Sequence, residues 1–267
     1  MKRGSLHLPG GARMDWCQLG HGSLPVVVIP GAGDGLWRVG QSAPLLAWRY
    51  HRRWRSNRLL ILGRREPIPP GFTVADHADD YVNAVDQLGW EPSVWECTSA
   101  GGPIGQQAAW RRPDLVRGLI LASTTHRADT ALRSVLKIWQ SLARARLWHD
   151  LYQSMADLNR PSTAAWSRVL RPLLRFLPGP RSPWRFIRLL DGLTELDHRA
   201  IVLDIQCPVL VIGGEDDRII TADLQREMAS LFRNSRLVLY KGLGHAAPMD
   251  HPGYEITIKR FMDEIYR

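Results

Sequence analysis

Ser99 lies in Cys97-Thr98-Ser99-Ala100-Gly101-Gly102, between the apolar run Ser93–Cys97 and a segment with helical spacing. A serine on a sharp strand-to-helix turn has its Oγ lifted clear of the sheet. The turn needs small residues two before and two after it, the G-x-S-x-G elbow. Gly101 satisfies the second place; Cys97 stands at the first, a thiol small enough to fit but crowding the turn. Such a serine becomes a nucleophile when a base takes its proton and an acid orients that base. Two later loops hold both residue types. Val209–Ile212 leads into Gly213-Gly214-Glu215-Asp216-Asp217-Arg218, and Leu237–Tyr240 leads towards Gly242-Leu243-Gly244-His245. Serine, acid and histidine in that chain order, each just past an apolar run, would allow covalent attack on a carbonyl carbon.

Each of these residues also has a plain structural reading. Ser99 suits a helix N-cap. Cys97 is a second thinkable nucleophile, though without the elbow geometry. Asp217 could close a turn or pair with Arg218, and Asp216 is a second thinkable acid. His251, six residues after His245, reads as structural, while His21 and His126 could line a cleft.

The elements that must position these side chains follow from pattern. Val26–Ile29, Leu59–Leu62, Ser93–Cys97, Leu119–Ala122, Val209–Ile212 and Leu237–Tyr240 are short apolar runs bounded by turn residues. Runs apolar on both faces suit buried parallel strands. Amphipathic stretches at 73–88, 100–110, 221–232 and 254–266 alternate with them. Strand–helix alternation predicts an α/β fold: a doubly wound, mostly parallel sheet with ligands beyond the strand C-termini.

Residues 126–200 break that rhythm. They hold no convincing strand and four helical pieces, near 131–145, 147–157, 162–176 and 183–196. The expected organisation is a core of residues 1–125 and 201–267 with a helical cap, 126–200, inserted between two strands. Each cap helix has one apolar stripe, which must be buried against something. The stripes are Leu132, Leu136 and Trp139; Trp148, Leu151 and Tyr152; Val169, Leu170 and Leu173; and Phe186, Ile187 and Leu190. Part of that surface can cover the sheet edge above Ser99 and enclose a mainly apolar pocket.

The chain has 267 residues, 45% hydrophobic and 23% charged, which excludes disordered, collagenous and coiled-coil classes. The net charge is +9, and the segment 126–200 alone holds 13 basic and 6 acidic residues. The basicity is therefore read as the solvated faces of the insert rather than a nucleic-acid surface. A second cluster, Arg49, Arg52, Arg53, Arg55 and Arg58, reads as the cationic end of a helix, also in water. No run approaches the roughly 18 apolar residues of a membrane span, and residues 1–11 lack the apolar core of a signal peptide. Three cysteines, Cys17, Cys97 and Cys207, form neither a disulfide framework nor a metal spacing. A cytoplasmic protein with a small-molecule substrate, and with no cofactor, metal, nucleic-acid or membrane partner, is expected.

From Val26 onward the chain resembles the α/β-hydrolase superfamily, in its compact single-cap branch of esterases, lactonases, haloperoxidase-like enzymes and C–C hydrolases. The resemblance rests on Pro30-Gly31-Ala32-Gly33, Cys-Thr-Ser-Ala-Gly-Gly, Gly-Glu-Asp-Asp and Gly-His-Ala-Ala-Pro-Met-Asp-His-Pro. It implies Ser99 as nucleophile, Asp217 as acid, His245 as base, and the backbone amides of Ala32 and Ala100 as oxyanion donors. Some relatives place the acid one strand earlier, but Ser123, Thr124 and Thr125 offer no carboxylate there. Two places depart from the pattern. Pro30 stands where relatives have histidine, and Gly63-Arg64-Arg65-Glu66 replaces D-x-x-G-x-G-x-S. The second departure is read as bearing on subfamily rather than on catalysis. The implied activity is hydrolysis of a small apolar ester or lactone. C–C hydrolysis, acyl transfer on the same triad, and a non-catalytic ligand-binding role are the alternatives.

Overall fold

The computed structural model describes residues 1–53, 55–159, 171–245 and 251–267. Eight strands form one sheet: β1 (Lys2–His7), β2 (Arg13–Leu19), β3 (Leu24–Ile29), β4 (Asn57–Glu66), β5 (Ser93–Thr98), β6 (Val116–Ala122), β7 (Val209–Gly214) and β8 (Ser235–Tyr240). Their order is β1-β2-β4-β3-β5-β6-β7-β8. The six strands from β3 onward are parallel; β1 and β2 are antiparallel additions at one edge.

Alternation along the strands explains the two-sided wrapping. Val27, Ile29, Leu60, Leu62, Trp95 and Cys97 enter one core, while Val26, Val28, Leu59, Ile61 and Val94 enter the other. Successive strand residues point to opposite faces, so apolar residues at every position require cover on both sides. The helices are α1 (Gly33–Leu36), α2 (Val39–Tyr50), α3 (Val74–Gln87), α4 (Gly102–Arg111), α5 (Thr130–Arg144), α6 (Trp148–Leu158), α7 (Pro183–Thr194), α8 (Arg199–Val202), α9 (Ala222–Leu231) and α10 (Pro252–Ile265). The α3 and α4 helices supply Tyr81, Val85, Ile104 and Ala108 to the first core; α2 and α10 supply Val39, Ala43, Tyr254 and Phe261 to the second.

Helix starts follow local chemistry. Thr73 caps α3 in a reciprocal box with Asp76, and Thr221 caps α9 by accepting from the Leu224 amide. The insert between β6 and β7 contains α5, α6 and α7, as the periodicity predicts. The piece expected near 162–176 lies outside the described residues over its first part, and Arg171–Phe176 is a 3₁₀ segment. The two ends of the insert are tied together. His198 donates its amide to the His126 carbonyl (2.7 Å), Ala128 donates to Leu196 (2.9 Å), and Arg127 bridges Asp197.

Two sequence expectations about arginine fail. Arg53 is not a solvated helix end. It is buried, pairs with Glu96 on β5 and Glu255 on α10, and lies over the rings of Tyr50 and Tyr254. A guanidinium donates in a planar fork, so one arginine can join two carboxylates from different elements. The insert likewise does not keep all its arginines in water. Arg185 on α7 is buried and reaches Asp34.

Candidate active site

Ser99 sits where β5 meets the 3₁₀ turn Ser99–Gly101 that opens into α4. Its φ is +49°, a left-handed backbone that L-residues seldom adopt. That conformation is held from outside. Thr124 donates its hydroxyl to the Ser99 carbonyl at 2.7 Å. At Gly101 an added Cβ would stand 2.5 Å from the Ile29 carbonyl, so the elbow presses against the end of β3 and tolerates no side chain. Cys97 does not crowd the turn. Its thiol points into the core beneath α4, where the missing side chain of Gly105 leaves it room. Burial pushes the Cys97 thiol well above the usual range, which opposes thiolate formation there.

His245 Nε2 lies 2.9 Å from Ser99 Oγ, and His245 Nδ1 lies 2.8 Å from Asp217 Oδ2. A carboxylate can only accept, so Nδ1 carries the hydrogen and Nε2 presents its lone pair to the serine hydroxyl. Asp217 is buried, and its other oxygen, Oδ1, accepts from the amides of Ile219 (2.8 Å) and Ile220 (2.9 Å). These bonds fix the carboxylate plane and so the imidazole. The acid and histidine loops are also joined to each other. Glu215 donates its amide to Tyr240, and Asp216 donates its amide to Leu243, both at 2.9 Å. The Asp216 side chain is exposed while that of Asp217 is buried.

Ala32 and Ala100 line a narrow cavity of about 40 Å³ together with Ser99. Leu132, Leu136 and Trp139 from α5, Leu190 and Leu193 from α7, and Ile219 and Ile220 close it. The predicted stripe of α5 thus lies over Ser99, whereas of the stripe predicted for α7 only Leu190 lines the cavity and Phe186 and Ile187 do not. His21 is exposed and His126 is buried against Glu227; neither lines this cavity. His251 caps α10 by accepting from the Gly253 amide at 3.0 Å and stacks on Tyr240, a structural role as expected.

Residue pattern alone misses Thr124, which no catalytic motif marks, and Gln106. The buried Gln106 donates to the Thr125 carbonyl (3.1 Å) and meets His198 Nδ1 (3.0 Å), so the helix that bears the elbow is tied to both ends of the insert. A glutamine on the core face of a helix is the signal that could have shown this, because a buried amide must find partners. Among the described residues no group of three or more His, Cys, Asp or Glu could hold a metal ion. No helix among them is long and apolar enough to cross a membrane.

Residues 25–252 match the model of the alpha/beta hydrolase fold. The chain is 28% identical, over 98% of its length, to polyketide synthase ThaQ of Burkholderia thailandensis, but it spans only 13% of that much longer protein. It is 25% identical to 2-hydroxymuconate semialdehyde hydrolase of Pseudomonas sp. strain CF600, covering 85% of this chain and 82% of that one. The solved esterase of Exiguobacterium antarcticum superposes with a TM-score of 0.78 at 15% identity, over 98% of this chain and 99% of that one. The chain belongs to the α/β-hydrolase fold family.

Proposed function

We propose that the chain is a serine hydrolase of small, mainly apolar carboxylic esters or lactones, acting through Ser99, His245 and Asp217. The observation that supports it most is the single imidazole placed within hydrogen-bond reach of both the elbow serine and a buried carboxylate. In this reading His245 Nε2 takes the Ser99 proton as Oγ attacks the carbonyl carbon. The imidazolium that forms is stabilised by Asp217, which stays ionised. Charge builds on the carbonyl oxygen, for which the Ala32 and Ala100 amides are the donors; losing one such donor typically costs about 3 kcal/mol. His245 then protonates the leaving group, and water deprotonated by the same nitrogen releases the acyl group from Ser99.

Residues 126–200 act here as the cap. The cavity lined by Leu132, Leu136, Trp139, Leu190 and Leu193 receives the acyl chain. Its apolar walls offer no partner to an anionic acyl group, which would remain desolvated and unpaired. The likeness to a segment of a polyketide synthase favours a second reading, acyl transfer on the same triad. There a hydroxyl or thiol, rather than water, takes the acyl group from Ser99.

The test is hydrolysis of p-nitrophenyl butyrate by purified wild type and Ser99→Ala, with and without an added alcohol. The expected result is a loss of at least about 10³-fold in kcat/KM on removing Oγ, with the fold intact. An alcohol that diverts most of the acyl product would favour transfer. Unchanged hydrolysis by Ser99→Ala would refute the assignment.

A further inference from the structure

The geometry points to Arg64 as a positioning residue that orients one oxyanion donor, the Ala32 amide, by holding the carbonyl on the far side of the same peptide unit. The inference rests on the serine-hydrolase reading above and extends it to the stretch where the chain departs from the family pattern.

Arg64 lies near the end of β4, and its side chain is fully buried. Its fork is shared between the Asp34 carboxylate and two backbone carbonyls, and the shorter bonds go to the carbonyls. Nη1 donates to the Gly31 carbonyl at 2.9 Å and Nη2 to the Pro30 carbonyl at 2.8 Å, two consecutive carbonyls of the loop between β3 and α1. The Gly31–Ala32 peptide is trans, since the cis bond found is Glu66–Pro67. In a trans peptide the C=O and the following N–H point in opposite directions. Fixing the Gly31 oxygen on the Arg64 side therefore turns the Ala32 N–H to the other side. Ala32 and Ser99 line one cavity, and Gly31 lies close against Ser99, since a Cβ on it would stand 3.2 Å from Ser99 Cβ; we take that other side as the side of the nucleophile. A charged donor on the carbonyl also polarises the peptide unit and strengthens the N–H as a donor.

The cluster around Arg64 is costly for a purely structural device. Asp34 Oδ2 accepts from the Arg64 amide (2.7 Å), from Arg64 Nη1 (3.4 Å) and from Arg185 Nη2 (3.3 Å). Two buried guanidiniums thus share one carboxylate, and among the described residues the Nε atoms of both arginines and Asp34 Oδ1 have no hydrogen-bond partner. Burying charge without full pairing is unfavourable, and well-packed apolar residues commonly replace such groups with no loss of stability. The arrangement does hold the loop between β3 and α1 at two consecutive carbonyls. It also links that loop to the insert, because Arg185 on α7 donates to the Arg64 carbonyl at 3.4 Å.

The experiment compares wild type, Arg64→Lys, Arg64→Met and Ser99→Ala. The readouts are kcat and KM for p-nitrophenyl butyrate, inhibition by a trifluoromethyl ketone that forms a tetrahedral oxyanion adduct, and thermal unfolding. Arg64→Lys keeps the buried charge beside Asp34 but replaces the planar fork, with one nitrogen for each carbonyl, by a single point donor. The expected result is a fall in kcat of about ten- to hundredfold, with KM within about threefold and ketone affinity weakened in step with kcat. Arg64→Met should lose more than Arg64→Lys. If Arg64→Met does not fold, Arg64→Lys decides the matter. A folded Arg64→Lys with kcat within twofold of wild type overturns the inference. So does a fall in kcat without weaker ketone binding, or a Lys variant that fails to fold, since each makes Arg64 a matter of stability alone. Activity retained in Ser99→Ala would instead overturn the underlying reading of the site.

Discussion

At the sheet's C-terminal edge, polar side chains are placed by the backbone; in the insert above it, apolar side chains are placed by one another. Asp217 accepts two amides from its own loop, Thr124 holds the Ser99 carbonyl, and the acid and histidine loops share backbone bonds. In the insert the polar bonds among the described residues run instead from the side chains of one helix to the next: Gln140 and Arg144 on α5 donate to Asp191 on α7 (2.9 and 3.0 Å), Arg133 to the Thr194 carbonyl (3.0 Å), and Trp139 to Ser154 on α6 (3.0 Å). Over the cavity itself the side chains are apolar, Leu132, Leu136 and Trp139 on α5 facing Leu190 and Leu193 on α7, and at the hinge end His126, His198 and Gln106 meet. Directional bonds fix angles; apolar contact fixes volume. The edge is thus suited to setting the rate, and the insert to setting what fits.

The contrast predicts different consequences for changes in the two regions. Short of removing Ser99 or His245 themselves, Asp217→Asn should be the most severe substitution. An amide at that place can donate to Nδ1, which favours the wrong tautomer, and kcat should fall by about 10⁴-fold with little change in KM. Steady-state kinetics of the purified variant check this; a loss of less than tenfold would place the acid elsewhere.

His198 tests the hinge end of the insert through stability rather than rate. Burial holds its imidazole down at about 4, against an ordinary value of 6.5. The folded form therefore binds fewer protons than the unfolded chain between those values. The stability this site contributes is fully present above pH 6.5 and is lost as pH falls towards 4, by about 1–3 kcal/mol. Urea unfolding at pH 7.5 and pH 5 should show a larger loss in wild type than in His198→Gln. An equal loss in both would remove His198 from the account.

The smallest effect is expected from the acyl pocket itself. Chain-length profiles from acetate to octanoate should rise by about 0.8 kcal/mol per methylene until the cavity fills. A cavity of about 40 Å³ places that limit at short chains. Leu136→Ala should move the optimum one or two carbons longer. A flat profile, or a preference for anionic acyl groups, would separate the insert from substrate choice.

Much of this was legible in residue pattern, for physical reasons. Val26–Ile29 and Val209–Ile212 are apolar at every position, and only a strand buried on both faces needs that. The elbow and the two loops that follow later strands were legible because sharp turns constrain residue type. The antiparallel pair β1 and β2 was missed. Lys2–His7 is half-exposed at the sheet edge, and in Arg13–Leu19 the apolar residues split between two cores, Met14 and Trp16 to one and Cys17 and Leu19 to the other. Mixed polar and apolar runs of that kind have no clean period. Buried arginines were missed for a different cause. Arg53, Arg64 and Arg185 are inside only because distant partners, Glu96 and Glu255, the Pro30 and Gly31 carbonyls, and Asp34, meet them there. Nothing local in the chain announces those meetings.

The central claim is that His245, held by Asp217, makes Ser99 a nucleophile. A fluorophosphonate probe reacts with activated serines and leaves a stable phosphonyl ester, so peptide mapping after labelling reads that claim directly. One adduct on Ser99 in wild type, with none in His245→Ala under the same exposure, is the predicted result. An unlabelled Ser99 in active protein, or an adduct placed on another residue, would contradict it.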